Sequence, residues 1–445
     1  MKQMSSDSRV GYLLSVVIAV IFVLLPFHAL FTTWIGSNLG HLDVVRVWKE
    51  IILVITLPLA VVLTWRSPKL RKWLRQSWIV RLFGLYILLH IILGIWAMAD
   101  DRVNSTALLY SYIVNLRFIT FFIVCAIATA SSQLLIRNWD KIILLPASLI
   151  LVFGIVQRFF LPSDFLKHFG YGEDTIPAYQ TVDAKLDYQR VQSTLRGANP
   201  LGAYLILIIT TLAIILRKNR TFMIGALIAS LMLMFYSYSR SAWIGLGLAL
   251  ATLLLLERPK LLDRYTFFVI LSGLVITVAG IYLMRSSDPV QDILFHTSEK
   301  SQSAQSSNQQ RFDAMRAGVS DIINQPQGGG PGTAGPASFR NSAPPKIAEN
   351  YYLQIGQEIG LIGVTIFATI NILVGVELWR RKEQQLARIL LASLVGITFV
   401  NLVSHAWTDD TLAYLWWGLA GIACAPAILS GRSKAYGKKQ KLPET

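Results

Sequence analysis

Apolar runs about as long as a bilayer is thick recur along almost the whole chain. A hydrocarbon core about 30 Å across needs roughly 20 apolar residues per helix. About twelve such runs are legible, near 11–32, 49–65, 78–98, 108–129, 142–161, 201–216, 221–238, 242–256, 265–284, 351–377, 387–405 and 411–430. The pattern predicts an all-α polytopic membrane protein, a single integral membrane domain over residues 1–445. A large external loop, 285–350, is expected between helices 9 and 10. The first run lacks a small-residue cleavage site and is longer than a signal-peptide core, so a retained anchor is expected.

Composition agrees with the pattern. Of 445 residues, 54% are hydrophobic and 15% charged, too apolar for a domain with a wetted surface. Lys and Arg number 41 against 25 Asp and Glu, a net charge of +16. That excess is not one patch with interleaved aromatics, so no nucleic-acid partner is implied. It sits between spans, in RSPKLRKWLR (66–75), RKNR (217–220), ERPKLLDR (257–264), WRRKEQQLAR (379–388) and GRSKAYGKKQK (431–441). Alternating spans put all of these on one side, which the positive-inside rule makes cytoplasmic, together with both termini. Cys125 and Cys424 lie inside apolar runs, where a thiol is a packing residue and no disulfide framework arises.

On the opposite face lie the two longest polar segments, Pro162 to Pro200 and Arg285 to Asn350. Loops of that length hold function or disorder. Within the second, RFDAMRAGVSDII (311–323) places Phe312, Met315, Val319, Ile322 and Ile323 near one helical face, as for a helix lying on a membrane surface. QGGGPGTAGPASF (327–339) follows. It lacks the Lys-Ser/Thr ending of a nucleotide P-loop and reads either as a phosphate-approaching backbone or as a plain flexible turn.

Four external arginines close or open apolar spans at one bilayer face: Arg190, Arg196, Arg240 and Arg311. Any one of them, read alone, snorkels or meets a lipid phosphate. Brought together they suit a pyrophosphate, because guanidinium groups pair with phosphate oxygens in bidentate fashion. Arg117, costly inside its span, is expected to face the same cavity or a water-filled vestibule. Glu349, at the external mouth of the tenth span, is placed to accept a proton from a sugar hydroxyl. Its bland reading is structural, a carboxylate at a helix N-terminus beside the good N-cap Asn350. His405, Asp409 and Asp410 in SHAWTDD (404–410) occupy another external turn, where they shape the pocket or merely face water. His28 and His90 read as hydrogen-bonded helix contacts. No external carboxylate set has metal-like spacing, so no metal or other cofactor is implied.

Over residues 190–375 the chain resembles the O-antigen ligase and polysaccharide polymerase superfamily. The matching pieces are RVQSTLRGANPLGAYL, SRSAWIG, QQRFDAMRAG followed by GGGPGTAG, and ENYYLQIGQEIGLIG, in consistent order and on one side. The resemblance implies an enzyme of the bacterial cytoplasmic (inner) membrane, seated among membrane lipids. It also implies an undecaprenyl-pyrophosphate-linked glycan donor and a glycan or lipid-linked acceptor. The arginines that grip the donor pyrophosphate map onto Arg240 and Arg311, with Arg190 or Arg196 as further candidates. Ligases of the family typically carry a histidine immediately before the residue matching Asn350. Glu349 stands there instead, which favours the polymerase branch over transfer to lipid A core. From other classes, a flippase or transporter of lipid-linked glycan would also need an arginine-lined cavity. Related halves and ionisable residues deep in the spans are its usual signs, whereas the charges here crowd one face. A non-catalytic scaffold explains the spans but not the two long loops.

Overall fold

The structure, a computed structural model, describes residues 6–182, 185–215, 220–257 and 307–426. It is helical almost throughout. Helices α1 (Ser6–Leu24) and α2 (His28–Leu39) form one apolar stretch interrupted by a tight turn at Leu25–Phe27, where Pro26 supplies no backbone donor. There follow α3 (Leu42–Arg46), α4 (Trp48–Arg66), α5 (Pro68–Gln76), α6 (Trp78–Ala99), α7 (Ser105–Ser131), α8 (Leu134–Arg137) and α9 (Trp139–Phe159). A small antiparallel hairpin, β1 (Gln180–Val182) and β2 (Lys185–Arg190), pairs Gln180 with Arg190. The chain continues through α10 (Ala198–Ile215), α11 (Arg220–Tyr236), α12 (Arg240–Glu257), α13 (Ser307–Asn324), α14 (Tyr351–Arg380), α15 (Gln385–Leu402) and α16 (Asp410–Cys424).

Among the described residues, nine helical stretches are long and apolar enough to cross a membrane. Helices α11 and α16, 17 and 15 residues long, correspond to two more of the expected runs but fall short of that length. The expected run at 265–284 lies outside the described residues, as does the first part of the 285–350 loop.

Helices α7 and α10, apolar around most of their circumference, form the centre of the bundle, with 78% and 83% of their most apolar windows buried, against 28% for α4 and for α6. Uniform apolarity suits interior helices, while the outer ones turn one face to lipid. Aromatic rings of Phe118, Phe122 and Trp417 interlock α7 with α16, and Phe367 of α14 joins them. Cys125 and Cys424 are both buried and unbridged, as packing residues.

Helix α14 is broken near its start. Ile359 departs from helical geometry and Gly360 takes φ +69°, a left-handed conformation that favours glycine. The glycine-rich segment repairs the break. Gly329 N–H donates to the Gln357 carbonyl (2.7 Å), Gly330 N–H to the Glu358 carbonyl (2.8 Å), and Leu361 N–H to the Pro326 carbonyl (2.9 Å). Buried Glu358 accepts from Gly332 N–H (2.7 Å), Ser111 Oγ (3.0 Å) and Asn115 Nδ2 (2.7 Å). Neither sequence reading of this segment holds: two of its amides close the helix break, a third holds the Glu358 side chain, and it is pinned to α7 and α14. A Cβ at Gly328 or Gly330 would approach neighbouring atoms within 2.5 and 2.2 Å, so close backbone approach explains these glycines.

Candidate functional site

The external turns expected to carry the site meet through a few directed bonds. At the end of β2, Arg190 Nε donates to the Ser237 carbonyl (2.8 Å) and Nη2 to Asn199 Oδ1 (2.5 Å), while Val191 N–H donates to the Tyr236 carbonyl (2.9 Å). These bonds join the α9–α10 connection to the α11–α12 turn, which ends in Arg240. Burial, then the neighbouring charges of Arg311 and Arg240, pulls Arg190 down from its ordinary value to about 10. The group remains cationic at neutral pH, within a field of like charge. Three of the four arginines read from sequence are thus brought to one place.

Arg311 arrives on α13. That helix packs against the start of α14, with Ile322 buried next to Gly356 and Gly318 so near Ala348 that an added Cβ would stand 3.1 Å from the Ala348 Cβ. Phe312, Val319 and Ile323 remain exposed, so the expected amphipathic surface is divided between lipid-type exposure and a protein contact. The chain then returns to Glu349 immediately ahead of α14.

Glu349 has φ +53° and stands outside the helix. The cap is Asn350, whose Oδ1 accepts from Tyr352 N–H (2.9 Å) and Leu353 N–H (3.0 Å) and whose Nδ2 donates to the Leu402 carbonyl (2.7 Å). Asn350, expected as substrate-binding, is therefore committed to the fold. The N-cap expected at Asn350 is present, and Glu349 stands one residue before it. Tyr351 N–H donates to the Ser404 carbonyl (3.0 Å), which brings the α15–α16 turn alongside. There His405 is held below its usual value by burial, raised by Glu349, and lowered by Arg196 and Arg311. The fourth arginine, exposed Arg196, therefore joins the group through His405. Only the nearby charge of Glu349, a non-local feature, distinguishes this histidine from one in an ordinary turn.

Backbone strain collects in the same turns. Among the described residues, five non-glycines have positive φ, and three of these, Ser193 (52°), Tyr238 (49°) and Glu349 (53°), sit in the segments carrying Arg190 and Arg196, Arg240, and the acid itself. Each such conformation costs on the order of 1–3 kcal/mol and tends to mark functional turns. Ser193 is held from both sides, its N–H donating to Gln157 Oε1 (2.8 Å) and its Oγ to the Ile150 carbonyl (2.8 Å).

Arg117 does not join this group. It ion-pairs with Asp410 and donates to the Thr408 carbonyl (2.7 Å). Asp410 also meets Lys49 Nζ (3.0 Å) and His28 Nε2 (2.9 Å), and Lys49 Nζ reaches Glu50 (3.1 Å). The expected vestibule position is thus a buried charge network, which satisfies a cation that lipid could not. Asp409 caps α16 through Leu412 N–H (3.0 Å). His90 contacts the Tyr86 carbonyl (2.9 Å), the helix contact expected of it, whereas His28 takes part in the network. Trp48 Nε1–H, which can only donate, points at His28 Nδ1 (3.0 Å), so the His28 proton resides on Nε2, facing Asp410.

Residues 225–368 match the family model described as O-antigen ligase. The match supports the O-antigen ligase superfamily and covers Tyr238 to Arg240, Arg311, Glu349 and Asn350. Over that stretch the chain is similar to a family described as O-antigen ligase, and its long apolar helices are those of a multi-pass membrane protein. No curated protein matches the chain significantly.

Proposed function

We propose that this protein is a membrane glycosyltransferase that extends a glycan carried on undecaprenyl pyrophosphate, at the external face of the bacterial cytoplasmic membrane, with both termini in the cytoplasm. The observation that carries the reading is the convergence of Arg190, Arg240 and Arg311, with Arg196 one residue further through His405, beside Glu349. Like charges gathered from distant chain segments raise the free energy of the empty site, and a diphosphate relieves it.

In the proposed reaction the acceptor hydroxyl oxygen attacks the anomeric carbon as the bond from that carbon to the pyrophosphate oxygen breaks. The diphosphate leaves with the electron pair, and the arginines stabilise the charge that grows on it. Glu349 takes the hydroxyl proton or orients the hydroxyl, and attack from the face opposite the leaving group inverts the anomeric centre. Neutral His405, beside Glu349, is placed to hold the carboxylate or pass its proton on. Glu349→Gln and Arg311→Ala are each expected to abolish chain extension at unchanged protein level in the membrane. Polymer like wild type from both variants would remove the proposed site.

A second reading, ligation of finished glycan to another acceptor such as lipid A core, gains from His405, because an imidazole stands at the site although position 349 is Glu. Deleting the gene distinguishes them: glycan shortened to one repeat indicates a polymerase, full-length polymer accumulating on its carrier a ligase. Purified protein in liposomes with labelled donor tests for new glycosidic bonds, against movement of intact donor across the bilayer.

A further inference from the structure

At the far end of α14 from Glu349, a cavity of about 530 Å³ opens between α5, the start of α6 and the ends of α14 and α16. Its volume lies within the roughly 300–1,000 Å³ typical of small-molecule sites. Its rim carries four basic side chains, Lys69, Lys72, Arg380 and Arg381, against one carboxylate, Glu377. Arg381 is already engaged, bonding Glu377 (2.7 Å) and the carbonyls of Ala423 (2.9 Å) and Ala425 (2.7 Å). Arg380 sits 3.8 Å from Glu377 with a side chain 72% exposed, and Lys72 is exposed on α5. These two exposed heads stand at the mouth.

The wall below them is apolar, with Ile79, Phe122, Leu373 and Val376. Helix α5 is amphipathic. Ser67 caps it by accepting from Leu70 N–H (3.3 Å), Leu70 is buried, and Lys69, Arg71, Lys72 and Arg75 face outward. Trp73 and Trp78 border the cavity, and Trp65, Trp78 and Trp379 are exposed at this end of the bundle. A short basic amphipathic helix with tryptophans on its flanks lies at the headgroup level. The cavity mouth therefore opens to lipid headgroups, not only to water.

We propose that this cavity binds an anionic membrane phospholipid, its phosphate between Lys72 and Arg380 and an acyl chain along Phe122, Leu373 and Val376. Basic pockets between membrane helices on the cytoplasmic side hold such headgroups, and a soluble phosphate would make no use of the apolar wall or the tryptophans. The proposal requires that the chain cross a bilayer and is independent of the glycosyl-transfer reading.

The test measures lipid retention by native mass spectrometry of the delipidated full-length protein, titrated with phosphatidylglycerol, phosphatidylcholine or inorganic phosphate. Phosphatidylglycerol is expected to bind on the order of tenfold more tightly than phosphatidylcholine, and the Lys72→Gln/Arg380→Gln variant to lose that margin. The charge-preserving Lys72→Arg/Arg380→Lys variant should keep it, as should Lys141→Gln, which removes another exposed lysine of the cytoplasmic side. Should the double Gln variant misfold, Lys72→Gln alone, on the outer face of α5, carries the comparison. Equal retention of the two lipids, undiminished retention by the Gln variants, or full displacement by inorganic phosphate would overturn the proposal.

Discussion

The roles of Glu349 and Asn350, adjacent in sequence, separate under paired substitution. Asn350→Ala removes both cap bonds at the start of α14 and the bond to the Leu402 carbonyl. Loss of an Asn N-cap costs about 0.5–2 kcal/mol, and the extra tether places this one toward the upper end. Glu349→Gln keeps size and backbone while removing the charge from a half-buried side chain outside the helix. Its effect on stability is expected to stay within about 0.5 kcal/mol. Its effect on turnover is that of a lost general base, about 10²–10⁴-fold, or roughly 3–5 kcal/mol of barrier. Glu349→Gly adds a third arm. At φ +53° glycine removes a left-handed strain of about 1–2 kcal/mol and adds about 0.5–1 kcal/mol of backbone entropy cost, so this variant should unfold no earlier than wild type while remaining inactive. The assays are thermal unfolding of purified protein in one detergent and extension of a labelled lipid-linked repeat in liposomes. The reasoning is refuted if Glu349→Gln turns over within threefold of wild type, or loses as much stability as Asn350→Ala.

Other consequences are equally open to measurement. Asp410→Ala leaves buried Lys49 and Arg117 with Glu50 as their shared carboxylate, and breaking such a pair costs about 3–5 kcal/mol; a large fall in unfolding midpoint is expected, a smaller one for Asp410→Asn. Glu358→Gln replaces an acceptor with a donor facing Gly332 N–H, Ser111 or Asn115, at about 1–3 kcal/mol. It should speed proteolysis within 327–346, and unchanged cleavage would refute the pinning of that segment. Because burial and the two guanidiniums hold His405 below its usual value while Glu349 opposes them, the imidazole stays neutral until pH falls below about 6.5. Activity dependent on the neutral ring should then persist to lower pH than a free histidine would allow, with an acid limb that His405→Gln removes; an acid limb at or above that value, or one unchanged in the variant, contradicts the assignment.

What the sequence displays and what it hides divide along local and non-local interactions. Spans are legible because lipid demands long apolar runs whatever their neighbours, and the sidedness of Arg190, Arg196, Arg240, Arg311 and Glu349 follows from counting them. Which of these would meet was legible only as a consequence of shared sidedness. Arg117 shared it too, yet its partner Asp410 lies 293 positions away, and nothing near either residue announces the pair. The surroundings of His405 are hidden for the same reason. The break in α14 was hidden by apolar periodicity that continues through Gly360. Its trace was the spacing of Gly328, Gly330 and Gly332, which the structure uses for backbone approach. The hairpin β1–β2 falls in the largely polar sequence TVDAKLDYQR, whose alternation of apolar and polar positions is short and faint beside the membrane-length apolar runs.

The placement of strain and charge constrains how the fold tolerates its own site. Three left-handed turns and a set of mutually repelling arginines all raise the free energy of the empty protein, and marginal stability leaves little room for such terms. Directed hydrogen bonds offset part of that cost. Arg190 is fastened by Ser237 and Asn199, Ser193 by Gln157 and Ile150, and the turn before α14 by Asn350 to Leu402. Glu358 clamps the segment that joins Arg311's helix to Glu349. These bonds fix Arg190, Ser193 and the turn before α14 in position. Arg117 and Lys49, by comparison, are paired with Asp410 and Glu50 inside the bundle. The contrast between Arg117 and Lys49, paired inside the bundle, and the arginines gathered near Glu349 is the ground on which structure is assigned to the first set and chemistry is proposed for the second.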